Sequence, residues 1–191
     1  MTPHSVNKLD NFIKGWILDD TSICDSLIRF HQQSKNKKPG MTGGGIDKEY
    51  KDSIDVVAED PVASEYILDC LYPVLKKYID VYKWSGGYGE FEITQPFNIQ
   101  HYPKGGGFKS WHTERGSARA PDVSRHLVFM TYLNDVNDCG ETEWYYQKMK
   151  IAPRKGLTVV WPADWTFTHR GIPSDSEEKW IATGWLNFVE R

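Results

Sequence analysis

From residue 91 onward the chain consists of short apolar runs rich in β-branched and aromatic side chains, each closed by turn chemistry. This punctuation constrains the fold more than any other feature. The runs are 91–102, 127–133, 143–151, 156–161 and 180–189, and the segments between them (103–107, 134–140, 152–155, 171–178) are rich in Gly, Pro, Asn, Asp or charge. Short strands at such spacing predict a mainly β double-sheet jelly roll, the cupin-like architecture that encloses a small site between its sheets. Upstream the pattern is mixed, so the class is α+β with supporting N-terminal helices. A strand is expected over 12–18, then a helix capped by Thr21 or Ser22 and running to about His31. An exposed loop over 32–45 follows, then a strand over 53–58, then a long helix from Pro61 to Tyr78 that Pro73 should kink or break. No repeat or low-complexity linker divides the 191 residues, which read as one domain: 1–90 as support and 91–191 as the site-bearing core.

With 39% hydrophobic and 26% charged residues the composition is that of a soluble globular protein. Eight tryptophans are an unusual number here, and they fit either core filling or the lining of a deep site. The formal net charge of -3 offers no electrostatic footprint for nucleic acid or for an anionic membrane, so neither partner is expected. Cys24, Cys70 and Cys139 are widely spaced and form no metal-type pair. With no apolar leader, they point to a reducing, cytoplasmic location.

The chemistry concentrates in Trp111-His112-Thr113-Glu114. Residues two apart on an extended strand project from one face, so His112 and Glu114 can reach one metal. A distant second imidazole, His169, follows another β-run and sheet packing could deliver it to the same point. Two histidines and one carboxylate on one face of an ion leave open positions opposite, the arrangement of iron(II) oxygenases. Ten residues on, Lys179 opens a strand-like run and can place a desolvated cation in the same barrel, where a dicarboxylic cosubstrate needs one. His101 and His126 each adjoin a favoured residue and should face the other way; His4 and His31 read as surface residues. Tyr102 also reads as a strand end, Arg125 as a solvated strand-edge charge, and Gly105–Gly107 as either a mobile lip or a plain turn.

These stretches together resemble the prolyl 4-hydroxylase group of the Fe(II)/2-oxoglutarate-dependent oxygenases, over residues 102–185. The matching pieces are Tyr102 through His112 to Glu114, Arg125 leading into Thr131–Asp135, Gly140–Thr142, Lys155–Gly156 before Val159–Pro162, His169–Pro173, and Lys179–Trp180 with Trp185. The resemblance implies a double-stranded β-helix fold and a reaction in which 2-oxoglutarate is decarboxylated to succinate while one oxygen atom enters a C–H bond. It implies His112, Glu114 and His169 as ligands of Fe(II). It also implies Lys179 and Tyr102 at the far carboxylate of 2-oxoglutarate, Thr131 and Trp185 lining that pocket, and Arg125 against the substrate backbone. The cofactors expected are Fe(II), 2-oxoglutarate and O2, with ascorbate as reductant. The acceptor is a peptide or protein, a prolyl residue first, or else a free small molecule. One departure stands out: the family usually has Asp where this chain has Glu114, and the extra methylene moves the carboxylate by about one carbon–carbon bond. Glutamate serves as the acid in some relatives of the wider superfamily.

Two readings of other classes compete. A non-catalytic cupin-like module could hold a metal or ligand without turnover, and a metal-dependent isomerase or hydrolase could use the same scaffold without oxygen. Neither needs a cation at Lys179. Phe108, Trp111, Trp161 and Trp165 are expected to shield the centre, and the loops 34–47 and 135–146 to select the acceptor.

Overall fold

The computed structural model of the chain describes residues 10–190. His4 and the N-terminal segment read for targeting features lie outside them. The first elements are β1 (Lys14–Ile17), α1 (Ser22–Gln33), β2 (Lys38–Pro39) and β3 (Ile54–Val57). A helical stretch follows as α2 (Val62–Glu65), a π-helical segment (Tyr66–Leu71) and α3 (Tyr72–Val81). Then come β4 (Phe91–Glu92), β5 (Asn98–Tyr102), β6 (Arg125–Tyr132), β7 (Thr142–Trp144), β8 (Met149–Ile151), β9 (Leu157–Pro162), β10 (His169–Gly171) and β11 (Lys179–Phe188). Eight strands form the main sheet, in the order β1-β9-β6-β11-β5-β3-β2 with β4 paired to β11; β10-β7-β8 form a small sheet. This is the expected jelly roll, and its main sheet takes three strands from the first 90 residues.

The central strands are buried on both faces, which is why their sequence shows continuous apolar runs and little alternation. Leu127 and Phe129 of β6, Ile99 of β5 and Ala182 of β11 pack under α1 and the helical segment with Leu27 and Tyr66. Val128, Met130 and Tyr132 of β6 and Val159 and Trp161 of β9 pack on the other face, with Trp144 of the small sheet. The helices are tied to the sheet by polar bonds too: the Tyr66 hydroxyl meets Thr131 Oγ1 at 2.7 Å, and the Tyr78 hydroxyl donates to the Phe12 carbonyl at 2.9 Å.

Several sequence expectations need correcting. The run 91–102 is two strands, because Pro96 between them has no N–H to give a ladder. The run 143–151 is the hairpin β7–β8, whose turn places Lys148 in the left-handed region at φ 51°. The 32–45 loop contains β2, which pairs with β3. Thr21 makes no side-chain cap; instead the Asp20 carboxylate accepts the Ser22 N–H at 2.8 Å. Pro73 does not end the helix, which widens into the π-helical segment just before it. His31 is not a surface residue: it is buried, with Nε2 2.9 Å from the Ile54 carbonyl oxygen and its ring edge-on to Trp180.

One irregularity shapes the site. Leu186 pairs with Leu127 but Asn187 pairs with Arg125, so His126 is an extra residue in β6 and forms a bulge. Inward of the bulge Val128, Met130 and Tyr132 face the space between the sheets. At the bulge the alternation resets, and Arg125 faces that space while His126 turns outward to the Phe91 and Phe188 rings.

Candidate active site

The metal-binding trio forms where the two sheets meet. His112 and His169 pair as an isolated bridge, each backbone N–H donating to the other's carbonyl at 3.0 and 2.9 Å. The tripeptide is therefore held by one rung, not by the regular strand expected from its spacing. Beyond it, the Arg115 N–H and the Thr113 hydroxyl both donate to the Ala163 carbonyl, at 2.9 and 3.1 Å, and Arg115 pairs with Asp164 at 2.5 Å. These bonds fix the backbone on both sides of Glu114.

Among the described residues this is the one cluster whose His, Cys, Asp or Glu ligand atoms could hold an ion: one atom from each of His112, Glu114 and His169, all within 4.8 Å of one another. Glu114 Oε1 lies 3.6 Å from His112 Nε2 and 3.5 Å from His169 Nε2. Metal–ligand bonds of about 2 Å at right angles require donors about 3 Å apart, so an ion fits with a slight inward movement. The tautomers fit as well. Nδ1 of His112 lies 2.9 Å from the Ser110 carbonyl oxygen and Nδ1 of His169 lies 3.0 Å from that of Phe167. A carbonyl only accepts, so Nδ1 carries the proton and the Nε2 lone pair points to the centre. Burial pushes the His112 pKa down, and the neighbouring His169 adds to this, which keeps the imidazole neutral as a ligand must be. Burial works against the charge of Glu114, but its interaction with the neighbouring His112 and His169 rings more than offsets this and holds the carboxyl well below the usual range.

The trio opens into a cavity of about 1100 Å³ that also receives Lys179, Tyr102, Arg125 and Trp185. Lys179 opens β11 opposite Tyr102 on β5, and its Nζ sits 5.1 Å from the Tyr102 ring centre. The ammonium donates to the carbonyls of Gly140 at 2.8 Å and Ile172 at 3.3 Å, and burial lowers its pKa to about 8. Gly140 can present that carbonyl because its φ is 81°, and a Cβ there would meet Val136 at 2.9 Å. The Tyr102 hydroxyl donates to Gln100 Oε1 at 2.6 Å.

Three expected positions move. Thr131 is outside the cavity: it faces the helices, with Oγ1 2.7 Å from both the Tyr66 hydroxyl and Thr158 Oγ1, and Met130 lines the wall in its place. The bulge is the reason, since Arg125 and Thr131 have the same parity in sequence and only one can face inward. Trp185 does line the cavity, but far along β11 from Lys179, where its indole N–H donates to Glu114 Oε2 at 2.8 Å. Arg125 is no solvated edge charge: its side chain is 14% exposed, it donates to the Glu114 carbonyl at 2.7 Å and its guanidinium lies 3.8 Å from the centre of the Trp185 ring.

Among the shielding aromatics, Phe108, Trp111 and Trp161 line the cavity, and Phe108 stacks on His112 with ring centres 3.6 Å apart. Trp165 is 60% exposed and does not line it. Of the two expected selecting loops, the first contributes Asn36, Lys38, Pro39 and Met41–Gly44, while the second contributes only Thr142. Gly105–Gly107 form no lip: Gly105 N–H bonds the Ser174 carbonyl and the Gly107 carbonyl accepts from Asp52. His101 faces away from the metal, stacked on Trp180. Sequence reasoning missed a polar wall. Asp55 accepts from Lys51 Nζ and Ser53 Oγ, both at 2.7 Å, and leads through Gln100 to Tyr102. These residues are common surface types, and only the pairing of β3 with β5 brings them together.

A jelly roll with a two-histidine, one-carboxylate centre and a buried cation deeper in the same cavity defines the class as iron(II) oxygenase-like. Comparison with known proteins agrees. Residues 97–187 match the family model of the 2OG-Fe(II) oxygenase superfamily. The chain is 30% identical to a probable prolyl 4-hydroxylase 9 of Arabidopsis thaliana, over 48% of this chain and 40% of that protein. It is 28% identical to prolyl 4-hydroxylase 13 of the same plant, over 50% and 43%. The chain thus spans about two fifths of the length of the curated relatives it matches. In fold it is similar to a viral collagen prolyl hydroxylase of Paramecium Bursaria Chlorella virus-1, with TM-score 0.69, 18% identity, and 94% of this chain and 97% of that one covered. A Pseudomonas putida prolyl-4-hydroxylase gives TM-score 0.70 at 15% identity, covering 92% of each chain. By these matches the chain resembles the prolyl 4-hydroxylases over its motif-bearing half in sequence, and over nearly its whole length in fold.

Proposed function

We propose that this chain is an Fe(II)- and 2-oxoglutarate-dependent hydroxylase of a peptidyl residue, proline first, releasing succinate and CO2. The observation that carries the reading is the shared cavity: three metal-ligand atoms converge at one point, and the buried Lys179 ammonium lies deeper in the same space. His112 Nε2, His169 Nε2 and Glu114 Oε1 would hold the iron on one face, leaving the opposite face to cosubstrate and dioxygen. Iron(II) supplies the activation of oxygen when bound. Lys179 takes the far carboxylate of 2-oxoglutarate in a charge-assisted contact, and the Tyr102 hydroxyl can turn from Gln100 to the same group. Ile181, Met130 and Trp161 form apolar wall around the cosubstrate and exclude water.

A peptide acceptor is supported by the relatives. A Trichoplax adhaerens prolyl hydroxylase similar in fold, with TM-score 0.68, 16% identity, and 93% of this chain and 84% of that one covered, was solved with a peptide fragment of the hypoxia inducible factor oxygen degradation domain. The test is to incubate iron-loaded protein with 2-oxoglutarate, ascorbate and proline-containing peptides. The expected result is a one-oxygen mass increase on a prolyl residue, with succinate formed in step with oxygen uptake. Turnover that persists without oxygen would show an isomerase or hydrolase instead. Metal binding with no succinate under any condition would show a binding module.

A further inference from the structure

The acid ligand is one methylene longer than the family's usual Asp, and the structure shows what surrounds the extra reach. Glu114 Oε1 faces the two imidazoles while Oε2 is turned away, accepting the Trp185 indole N–H at 2.8 Å. Arg125 completes the setting from the bulged end of β6. Its Nη1 donates to the Glu114 backbone carbonyl at 2.7 Å, stands 3.7 Å from Oε2 and pairs with Asp122 at 3.2 Å, and the guanidinium covers the Trp185 ring. The resemblance assigned these two residues to the substrate backbone and to the cosubstrate pocket. Here their polar atoms are directed at the acid ligand.

We infer that Trp185 and Arg125 are positioning residues that make Glu114 a one-oxygen ligand of the metal. This rests on the metal reading of the trio. The need is one of coordination number. Six positions must serve three protein ligands, two cosubstrate oxygens and dioxygen, so a glutamate bound through both oxygens would occupy a position the reaction requires. A longer, more flexible carboxylate can swing into that mode unless its second oxygen is engaged elsewhere. The indole N–H engages it, and Arg125 clamps both the ring and the Glu114 backbone. Because the bonds to Ala163 fix the backbone on either side, shortening the side chain would withdraw the carboxylate and leave it unable to reach the imidazole side and Trp185 together. Restoring the family's Asp should therefore weaken the site.

The experiment is a double-mutant cycle on metal binding, with no cosubstrate or turnover involved. The apo form of the whole 191-residue chain is titrated with Mn(II), following free ion by electron paramagnetic resonance, and with Co(II), whose visible bands report coordination number. Trp185→Phe keeps the ring and removes only the donor. It is expected to weaken metal binding by about 10- to 100-fold, the usual cost of losing an outer-shell partner, and to change the Co(II) spectrum. Glu114→Asp is expected to weaken binding as well. In the Glu114→Asp background, Trp185→Phe should cost no more than about threefold, since the bond is already gone. A ring with a merely structural role would cost the same in both backgrounds, and that result overturns the inference. So does a Trp185→Phe protein with unchanged affinity and spectrum, or a Glu114→Asp protein that binds more tightly than the original. If the unmodified protein binds neither ion, the metal reading falls with it; if it binds and only the cycle fails, that reading stands.

Discussion

Lys179 is the residue whose chemistry is most exposed to test. Burial pushes its pKa down to about 8 because the charged form loses its hydration, a loss that the nearby Glu141 charge and two backbone carbonyls offset only in part. A carboxylate binds the protonated form, so the KM for 2-oxoglutarate should be flat below pH 8 and climb about tenfold per unit above it. The climb should stop where the bound carboxylate has raised the lysine's pKa. The sign for folding is the reverse of a salt-bridged lysine's. Between pH 8 and the ordinary lysine value the folded chain binds fewer protons than the unfolded one, so this group's contribution to stability improves as pH rises through that window. Lys179→Met should abolish both pH effects and raise the KM at pH 7 by about 10- to 100-fold, the worth of a charge-assisted contact. Steady-state kinetics across pH 6.5 to 9.5 checks it, and a Met variant retaining the wild-type KM at pH 7 would remove Lys179 from the cosubstrate. The trio and Lys179 were legible in sequence because the His-x-Glu tripeptide, the later histidine and the lysine ten residues after it stand in an order and spacing that the chemistry restricts. The roles of Arg125 and Trp185 were not, since nothing in their neighbours announces a contact to Glu114.

At the level of elements, the jelly-roll strands were legible in the turn residues that close them, and the errors fall where a strand departs from regular alternation. Within β6 the same-parity residues Arg125 and Thr131 are parted by one extra residue, and a bulge has no mark in the sequence. The β7–β8 hairpin was hidden for a related reason: its turn is built from Tyr145, Tyr146, Gln147 and Lys148, with no Gly, Pro, Asn or Asp to signal it. The bulge argument can be tested at Thr131. Facing the helices, its hydroxyl links Tyr66 to Thr158 in a fully buried chain. Thr131→Val keeps the shape and leaves those partners unsatisfied, so thermal or urea unfolding should show a loss of about 1–3 kcal/mol. The KM for 2-oxoglutarate should not move. A raised KM with unchanged stability would put Thr131 back in the cavity.

At the scale of the molecule, the change of strand pattern at residue 90 does not mark a physical boundary. The site-bearing half supplies the metal trio and Lys179, but β1 pairs with β9 along one flank of the main sheet and β3 pairs with β5 along the other. The helix-facing surface of that sheet, with Ile99, Leu127, Phe129, Val160, Ala182 and Leu186, is covered by α1 and by the helical segment from α2 to α3. A chain starting at residue 91 would leave this apolar face and two hydrogen-bonding edges open to water, and open edges promote association. It would also lose Lys51 and Asp55 from the cavity wall. The fragment 91–191, expressed alone, is therefore expected to aggregate or to give no cooperative thermal transition, and not to bind Mn(II) at concentrations that saturate the full chain. If that fragment melts cooperatively and binds metal as the whole protein does, the N-terminal strands and helices are a dispensable covering and not part of what holds the site.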